Sequence, residues 1–262
     1  MKTRLDAELV RRGLARSREA ATDLIAAGKV LVTGMPASKA ATQVDAQTSI
    51  TLKDDHAEFV SRGGHKLSGA LEEFATIAIN GKIALDAGAS TGGFTDVLLK
   101  RGVKKVVAVD VGYGQLAWEL QKDERVKILD RVNVRNLTTS QVGEEIDLVV
   151  ADLSFISLKL VLPALISVAK ESADFLIMVK PQFEVGKDKL GAGGVVRDVA
   201  LRKEAVLEVA NAAFALTLGT LGVVASPLPG PSGNVEYFLW LKKGANALSE
   251  VDLDLAIAKG PA

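Results

Sequence analysis

The sequence predicts an α/β fold: a doubly wound, mostly parallel sheet of seven strands with helices on both faces, preceded by a small α+β domain. From about residue 82, short apolar runs alternate with helical patterns. A glycine-rich turn follows the first of these runs, and polar residues follow two of the later ones. Because ligands bind at the carboxyl ends of parallel strands, these residues are candidates for a functional site.

The larger domain is expected to open with a helix over residues 66–75. The seven predicted strands lie at 83–86, 105–110, 127–130, 147–151, 174–179, 221–226 and 236–241. Further helices are predicted near 92–101, 114–121, 158–169 and 198–217, with a weak terminal helix after Gly244.

The first 55 residues predict a separate unit. A short helix is expected from Leu5 to Val10, and Ser17 is a suitable N-cap for a second helix that Gly28 would end. Short strands follow at 29–32 and 49–52. We therefore divide the chain into a small domain (1–55), a linker (56–63), a large domain (64–246) and a tail (247–262).

The composition excludes several kinds of site. The 32 basic residues balance the 32 acidic ones, so a nucleic-acid surface would have to be local. The chain has no cysteine, which excludes disulfides, thiolate metal sites and cysteine nucleophiles. With only two histidines, His56 and His65, a zinc or Ser-His-Asp site is disfavoured, and we predict no metal.

One uncharged stretch, residues 209–235, is long enough to span a bilayer. It contains Pro227, Pro229 and Pro231 as well as glycines, so we interpret it as the end of a helix, a turn, a strand and a loop. The amino terminus lacks the apolar core of a signal peptide. We expect a cytoplasmic protein without a membrane partner.

The glycine-rich turn indicates a nucleotide-like cofactor. The turn follows the first strand, and Asp110 ends the second strand, where a carboxylate can accept both hydroxyls of a ribose. NAD and S-adenosylmethionine folds share this pair, and a plain structural turn is the third reading. Asp86 and the Gly-x-x-x-Gly-Gly spacing favour S-adenosylmethionine, and hence a class I, Rossmann-like methyltransferase. The cofactor candidates are Asp86, Gly88, Ala89, Ser90, Thr91, Gly92, Gly93, Phe94, Asp110, Asn133 and Asp152.

Four polar residues at the edges of predicted elements, Lys66, Asp152, Lys180 and Glu236, form the candidate catalytic set. Methyl transfer to a hydroxyl needs a base, and a neutral lysine would serve. We predict Lys180 as the base and Asp152 as the group that orients it. Lys66 would favour the neutral form of Lys180 and stabilise the oxyanion, and Glu236 would hold Lys66 or the ribose. The alternative for each residue is a solvated charge at a strand end.

The residues that follow the fourth strand bear on the acceptor atom. Amino-group methyltransferases with this sheet commonly carry Asn/Asp-Pro-Pro-Tyr there, whereas this chain has Asp152-Leu153-Ser154-Phe155. The difference disfavours methylation of a base nitrogen and leaves oxygen as the expected acceptor.

Basic residues in the small domain could contact RNA phosphates, although Asp6, Glu8, Glu19 and Asp23 dilute the patch. An ordinary solvated face is the open alternative. The candidates, including three in the larger domain, are Arg4, Arg11, Arg12, Arg16, Arg18, Lys29, Arg62, Lys189 and Arg197.

Six segments resemble those of a known family; they span residues 5–18, 28–30, 61–67, 180–186, 193–198 and 233–236. In these segments the chain resembles the TlyA family of bacterial ribosomal-RNA 2′-O-methyltransferases, historically labelled hemolysins. The resemblance implies an FtsJ-like catalytic domain with a Lys-Asp-Lys-Glu tetrad at the four residues above, and a small RNA-binding domain of the ribosomal-protein-S-four type.

The same resemblance implies S-adenosylmethionine as cofactor and cytidine ribose in small- and large-subunit rRNA as substrate. Two alternatives from other classes are a non-catalytic RNA-binding assembly factor and a membrane-lytic protein.

Overall fold

The computed structural model describes residues 2–15, 17–53 and 58–260. Its strands are β1 Thr3–Arg4, β2 Val30–Val32, β3 Met35–Pro36, β4 Gln43–Val44, β5 Ile50–Leu52, β6 Ile83–Ala87, β7 Lys105–Asp110, β8 Val126–Asp130, β9 Ile146–Ala151, β10 Ala169–Val179, β11 Leu218–Ala225 and β12 Tyr237–Lys243. Its α-helices are α1 Leu5–Arg11, α2 Arg18–Ala26, α3 Arg62–Glu73, α4 Gly93–Lys100, α5 Trp118–Gln121, α6 Thr139–Val142, α7 Leu162–Ser167, α8 Val199–Ala215 and α9 Glu250–Lys259.

The predicted sheet of seven strands is confirmed, with the order β11-β12-β10-β9-β6-β7-β8. Only β12 runs antiparallel to its neighbours. The strand order reverses between β6 and β9, which opens a crevice at the carboxyl ends of these strands. Because β12 is antiparallel, its amino end lies at the same edge of the sheet as those carboxyl ends.

Alternation along the central strands builds a core on both faces of the sheet. Leu85 and Val149 are neighbours in register and face one apolar cluster, whereas Ala84 and Leu148 face the other. All four are essentially inaccessible to solvent. Helices cover both faces, so the central strands are almost wholly apolar, as is usual for parallel sheets.

The small domain has its own core, in which Leu5, Leu9, Ile25, Val30 and Ile50 are buried. Ser17 caps α2 as predicted, because its hydroxyl accepts a hydrogen bond from the Ala20 amide. Gly28 follows the end of α2 with a positive φ of 69°, the conformation expected of a C′ glycine.

The predicted start of the first helix of the large domain was wrong. Helix α3 begins at Arg62 rather than Lys66, so Lys66 lies inside the helix instead of at its first position. Gly64 allows this extension, because a β-carbon there would stand 2.4 Å from the Phe59 side chain. Lys66 is thereby turned into the protein interior and is only 6% exposed.

Two other predicted helices were too long. The helix expected at 114–121 covers only Trp118–Gln121, since Gly114 takes a positive φ of 61°. The helix expected at 158–169 is a short 3₁₀ turn, Leu158–Leu160, followed by α7, and β10 already begins at Ala169.

The interpretation of residues 209–235 is confirmed, since α8 ends at Ala215, β11 follows and the proline-rich segment is a loop. Across the described residues, the structure has no helix with the length and apolar character needed to cross a membrane.

Candidate active site

The four candidate catalytic residues form two ion pairs at the carboxyl edge of the sheet. Lys66 pairs with Glu236, and Lys180 pairs with Asp152. Asp152 directly follows β9, Lys180 directly follows β10 and Glu236 directly precedes β12. Because β9 and β10 are parallel and β12 is antiparallel to β10, residues that are far apart in the sequence meet at one edge of the sheet.

The Lys66–Glu236 pair is the buried one. Lys66 Nζ donates a hydrogen bond of 2.5 Å to Glu236 Oε2, and the side chains are 7% and 1% exposed. Gly230 provides the space for the carboxylate, because a β-carbon there would lie 2.7 Å from Glu236 Oε1. The Ser226 amide donates to the Glu236 backbone carbonyl and holds the start of β12 in place.

The Lys180–Asp152 pair is more open. Lys180 Nζ lies 2.5 Å from Asp152 Oδ1 without the alignment of a hydrogen bond, and the side chains are 11% and 23% exposed. Lys180 Nζ also donates to Ser154 Oγ over 3.1 Å. An amine held by one carboxylate and one hydroxyl, and reachable by solvent, can exchange protons with a substrate.

Two cavities meet at this pair. One, of about 520 Å³, is lined by Gly88, Ser90, Asp110, Asn133 and Asp152. The other, of about 790 Å³, is lined by Lys180, Glu236 and the loops around Gly186 and Gly230. Residues 154–156 line both cavities and so form the wall between them.

Phe155 stands out in that wall. It is 91% exposed and has a positive φ of 63°, a conformation that costs energy for a bulky residue. Its ring is tilted against that of Phe183, with centroids 5.1 Å apart. The two rings give the second cavity an aromatic face.

The glycine-rich turn has the tight backbone that the sequence predicts, and its role in cofactor binding stays a prediction. Gly88 has a φ of 88°, and a β-carbon there would lie 2.4 Å from the Asp152 carbonyl oxygen. The Asp110 carboxylate accepts hydrogen bonds from the amides of Ser90 and Gly112. This carboxylate therefore ties the turn after β6 to the turn after β7.

Asp86 lies beneath the turn and is completely buried. Thr95 Oγ1 donates to Asp86 Oδ2, whereas Oδ1 has no hydrogen-bond partner among the residues that the structure describes. Burial raises the pKa of Asp86 to about 7, and the nearby Asp152 and Asp110 charges add to the effect. An acceptor without a donor, in a cluster of carboxylates, suits a cationic ligand.

The predicted cofactor residues divide into two groups. Those that line the smaller cavity are Gly88, Ser90, Asp110, Asn133 and Asp152. Those outside its lining are Asp86, Ala89, Thr91, Gly92, Gly93 and Phe94. Phe94 is buried and stacks on Phe238, so its direct role in cofactor binding stays a prediction.

Glu184 was missed by the sequence reasoning, although it lies in the 180–186 motif. Its carboxylate accepts hydrogen bonds from Ser157 Oγ at 2.6 Å and from the Leu158 amide at 2.8 Å. Burial raises the pKa of Glu184 above its usual range. The residue connects the loop after Lys180 to the loop after Asp152.

Asn234 was also missed, although it lies in the 233–236 motif. Its amide accepts a hydrogen bond from the Val196 amide and donates one to the Gly194 carbonyl. Asn234 is 3% exposed and stands two residues before Glu236. It thereby holds the loop of residues 193–196 against the second cavity.

The arginines of the small domain are paired with two buried carboxylates. Arg4 and Arg18 contact Asp6, and the hydrogen bond from Arg4 is the main cause of a pKa of Asp6 well below its usual range. Arg11 and Arg12 contact Glu8 and lower its pKa in the same way. The patch thus carries acidic partners, as the sequence indicated.

The other RNA candidates lie in different settings. Arg12 also donates to the carbonyls of residues 45, 46 and 48. Lys189 pairs with Glu204, Arg62 donates to the Pro229 carbonyl and Arg197 to the Ala192 carbonyl. Lys29 is partly exposed just before β2, and Arg16 lies outside the described residues. The roles of these residues in binding RNA stay predictions.

Comparison with known proteins decides the family. The model for FtsJ-like methyltransferases matches residues 59–243, and the model for the S4 domain matches residues 3–50. The chain is 59% identical to the 16S/23S rRNA (cytidine-2′-O)-methyltransferase TlyA of Mycobacterium tuberculosis, over 99% of both chains. The chain belongs to the TlyA family of FtsJ-like methyltransferases. The family resemblance drawn from the motifs is confirmed, while the domain boundaries at residues 55, 63 and 246 stay predictions.

More distant TlyA relatives carry two kinds of name. Hemolysin A of Brachyspira hyodysenteriae is 36% identical over 89% of this chain and 97% of its own. The 23S rRNA (cytidine-2′-O)-methyltransferase TlyA of Campylobacter jejuni is 36% identical over 71% of each chain. A solved structure from Streptococcus thermophilus, provisionally named a hemolysin, matches 98% of this chain and 95% of its own at 35% identity with a TM-score of 0.76.

Proposed function

We propose that this chain transfers a methyl group from S-adenosylmethionine to the 2′-hydroxyl of a cytidine ribose in ribosomal RNA, with Lys180 as general base. One observation carries the proposal: the Lys180–Asp152 pair stands where the cavity lined by Asp110 meets a second, aromatic-lined cavity. A donor and an acceptor bound in the two cavities would meet at this pair.

The residues of the smaller cavity fit S-adenosylmethionine. Asp110 would accept the ribose hydroxyls, and the close-packed turn at Gly88 would receive the methionine end. The unpartnered oxygen of Asp86 supports a cationic occupant nearby. When bound, this cofactor supplies an electrophilic methyl group on a sulfonium.

The protein's own groups would manage the proton. Lys180, as a neutral amine, would take the proton from the 2′-hydroxyl while the oxygen attacks in line. Asp152, 2.5 Å away, would keep the amine in place and stabilise the ammonium that forms. The buried Lys66–Glu236 pair would fix the wall of the acceptor cavity and supply a positive charge for the developing oxyanion.

The acceptor cavity suits a nucleotide removed from its stack. Phe155 and Phe183 provide faces on which a base can stack. The S4 domain supports an RNA substrate, and the full-length similarity to the Mycobacterium tuberculosis protein supports rRNA of both subunits. Such a substrate implies a cytoplasmic enzyme, as the sequence predicted.

Lys180→Ala is the decisive variant. Transfer of tritiated methyl groups to isolated ribosomal subunits should fall to background, while binding of S-adenosylmethionine should stay close to wild type. Lys187→Ala is the matched control, because Lys187 lines the same cavity without belonging to either pair. Undiminished methyl transfer by Lys180→Ala would rule out Lys180 as the general base. Absence of methyl transfer by the wild-type chain would refute the proposed function as a whole.

A further inference from the structure

The small domain touches the large domain through the tip of one hairpin. Strands β2 and β3 are joined by Thr33 and Gly34, which have φ values of 50° and 77°. Positive φ at both central residues is the pattern of a two-residue type I′ turn, in which glycine suits the second position. The tip is therefore a rigid element.

This tip docks on the segment of residues 114–118. The Trp118 amide donates a hydrogen bond of 2.9 Å to the Gly34 carbonyl. A β-carbon at Gly34 would lie only 2.0 Å from the Leu116 carbonyl oxygen, so any other residue would force the two backbones apart. A β-carbon at Gly114 would lie 3.7 Å from the Thr33 side chain, which adds a second point of contact.

The opposite side of the same segment supports the cofactor turn. The Ala117 amide donates a hydrogen bond of 3.0 Å to the Thr91 carbonyl. The Leu116 side chain packs on Gly92, where a β-carbon would lie 2.7 Å from it. Leu116 and Ala117 are 4% and 1% exposed, and the neighbouring Gln115 lines the smaller cavity. Consecutive residues thus connect the hairpin tip to the glycine-rich turn.

We infer that the Thr33–Gly34 tip positions the cofactor site, so that docking of the S4 domain raises the affinity for S-adenosylmethionine. The inference rests on the proposed function. Because coupling between two equilibria is reciprocal, bound cofactor should stabilise the docked S4 domain by the same factor. RNA that contacts both domains should therefore bind more tightly when cofactor is present. Leu116, Ala117 and Trp118 are the positioning residues that carry this coupling.

Gly34→Ala tests the docking contact, and Gly28→Ala is its matched control. Both glycines have similar positive φ values, 77° and 69°, so both variants carry the same backbone penalty. Of the two, Gly34 alone has a close neighbour in the described part of the chain, where nothing lies within 4 Å of a β-carbon at Gly28. The dissociation constant of S-adenosylmethionine, measured by calorimetry, should rise about fivefold or more in Gly34→Ala alone.

Trp118→Pro provides a second test, directed at the backbone donor. Trp118 is the first residue of α5 and Ala117 before it is extended, with φ −57° and ψ 140°, so proline fits the backbone. The variant loses the donor to Gly34, whereas Trp118→Ala keeps this donor and loses only the side chain. Cofactor affinity should fall clearly further in Trp118→Pro than in Trp118→Ala.

The reciprocal measurement completes the test. In the wild type, saturating cofactor should tighten binding to ribosomal subunits, and Gly34→Ala should lose most of this gain. Equal cofactor affinities in Gly34→Ala and Gly28→Ala would overturn the inference, as would equal affinities in the two Trp118 variants. A wild-type chain that bound no S-adenosylmethionine would instead overturn the proposed function, so the two failures are distinguishable.

Discussion

Lys66 Nζ lies 2.5 Å from Glu236 Oε2 in a setting where the two side chains are 7% and 1% exposed. The pair joins helix α3 to the start of β12 across 170 positions of sequence. Taking both charges out of water is costly, so the pair depends on both partners being present. A single variant that leaves one charge unpaired can therefore be compared with a double variant that removes both charges, which separates the effect on stability from the effect on catalysis.

Lys66→Ala should lower the free energy of unfolding by about 3–5 kcal/mol, because it leaves the Glu236 carboxylate buried and unpaired. Methyl transfer should be lost as well. Urea denaturation followed by circular dichroism measures the first effect, and the tritiated-methyl assay measures the second.

The double variant Lys66→Met/Glu236→Gln is the control for this prediction. With no charge left in the pocket, most of the lost stability should return while activity stays absent. A double variant as unstable as Lys66→Ala would contradict the account of the pair as a buried charge balance. An active double variant would contradict its catalytic role.

Asp86 should make stability depend on pH. Its pKa is about 7 in the fold against roughly 3.9 in the unfolded chain, so the folded state binds the proton more tightly. The contribution of this group is greatest below about pH 4, falls as the pH rises and is lowest above about pH 7. Asp86→Asn keeps the shape without the titration.

The free energy of unfolding of the wild type should therefore fall by a few kcal/mol relative to that of Asp86→Asn between about pH 4 and pH 8. The magnitude follows because a pKa difference of about one between the folded and unfolded chains corresponds to about 1.4 kcal/mol. Denaturation curves of both chains at matched ionic strength give the difference at each pH. Parallel pH profiles would mean that Asp86 titrates alike in the folded and unfolded states.

Glu184 should matter for turnover because it connects the loops that follow Lys180 and Asp152. Glu184→Ala should lower kcat by about tenfold to a hundredfold, since a displaced base misses the hydroxyl, with little change in the KM for cofactor. Glu184→Gln keeps one acceptor oxygen and should recover part of the loss. Steady-state kinetics on ribosomal subunits separate the two parameters.

Glu208→Ala is the matched control, because Glu208 forms an exposed pair with Lys159 close to Glu184. Its kcat should stay within about twofold of wild type, as expected for an exposed pair whose coupling is small, about 0–1 kcal/mol. If Glu184→Ala behaved like Glu208→Ala, the loop connection would have no bearing on catalysis.

The arginines of the small domain should separate into two kinds. Arg11 and Arg18 are 61% and 60% exposed, so each replacement by glutamine should reduce the slope of RNA affinity against salt concentration by about one. Arg12 is 21% exposed and donates to three backbone carbonyls, so Arg12→Ala should lower the melting temperature of the chain.

Filter binding over a range of potassium chloride concentrations measures the slopes, and calorimetry measures melting. If the slope of RNA affinity against salt concentration were unchanged in Arg11→Gln and Arg18→Gln, these arginines would pair with Glu8 and Asp6 and not with RNA phosphates. If Arg12→Ala lost RNA affinity without a change in melting temperature, Arg12 would be a residue that contacts phosphates rather than one that stabilises the fold.

The catalytic residues show which parts of the site can be predicted from local sequence pattern. Asp152 and Lys180 each follow a run of buried apolar residues, and parallel strands deliver such positions to one edge of the sheet. Their proximity could therefore be predicted. For Glu236 the sequence left Lys66 and the ribose as alternatives, and the structure pairs it with Lys66, because the helix begins four residues before the predicted start and turns this lysine inward.

The sequence by itself determined the alternating strands, the glycine-rich turn and the strand-end residues, because these depend on periodicity and backbone preference within a few residues. Only the tertiary structure decided that Glu236 contacts Lys66 in a buried pair, how Glu184 joins two loops, and that the Gly34 tip rests against Leu116. Contacts of this kind join residues distant in the chain, and packing selects them after the local elements have formed.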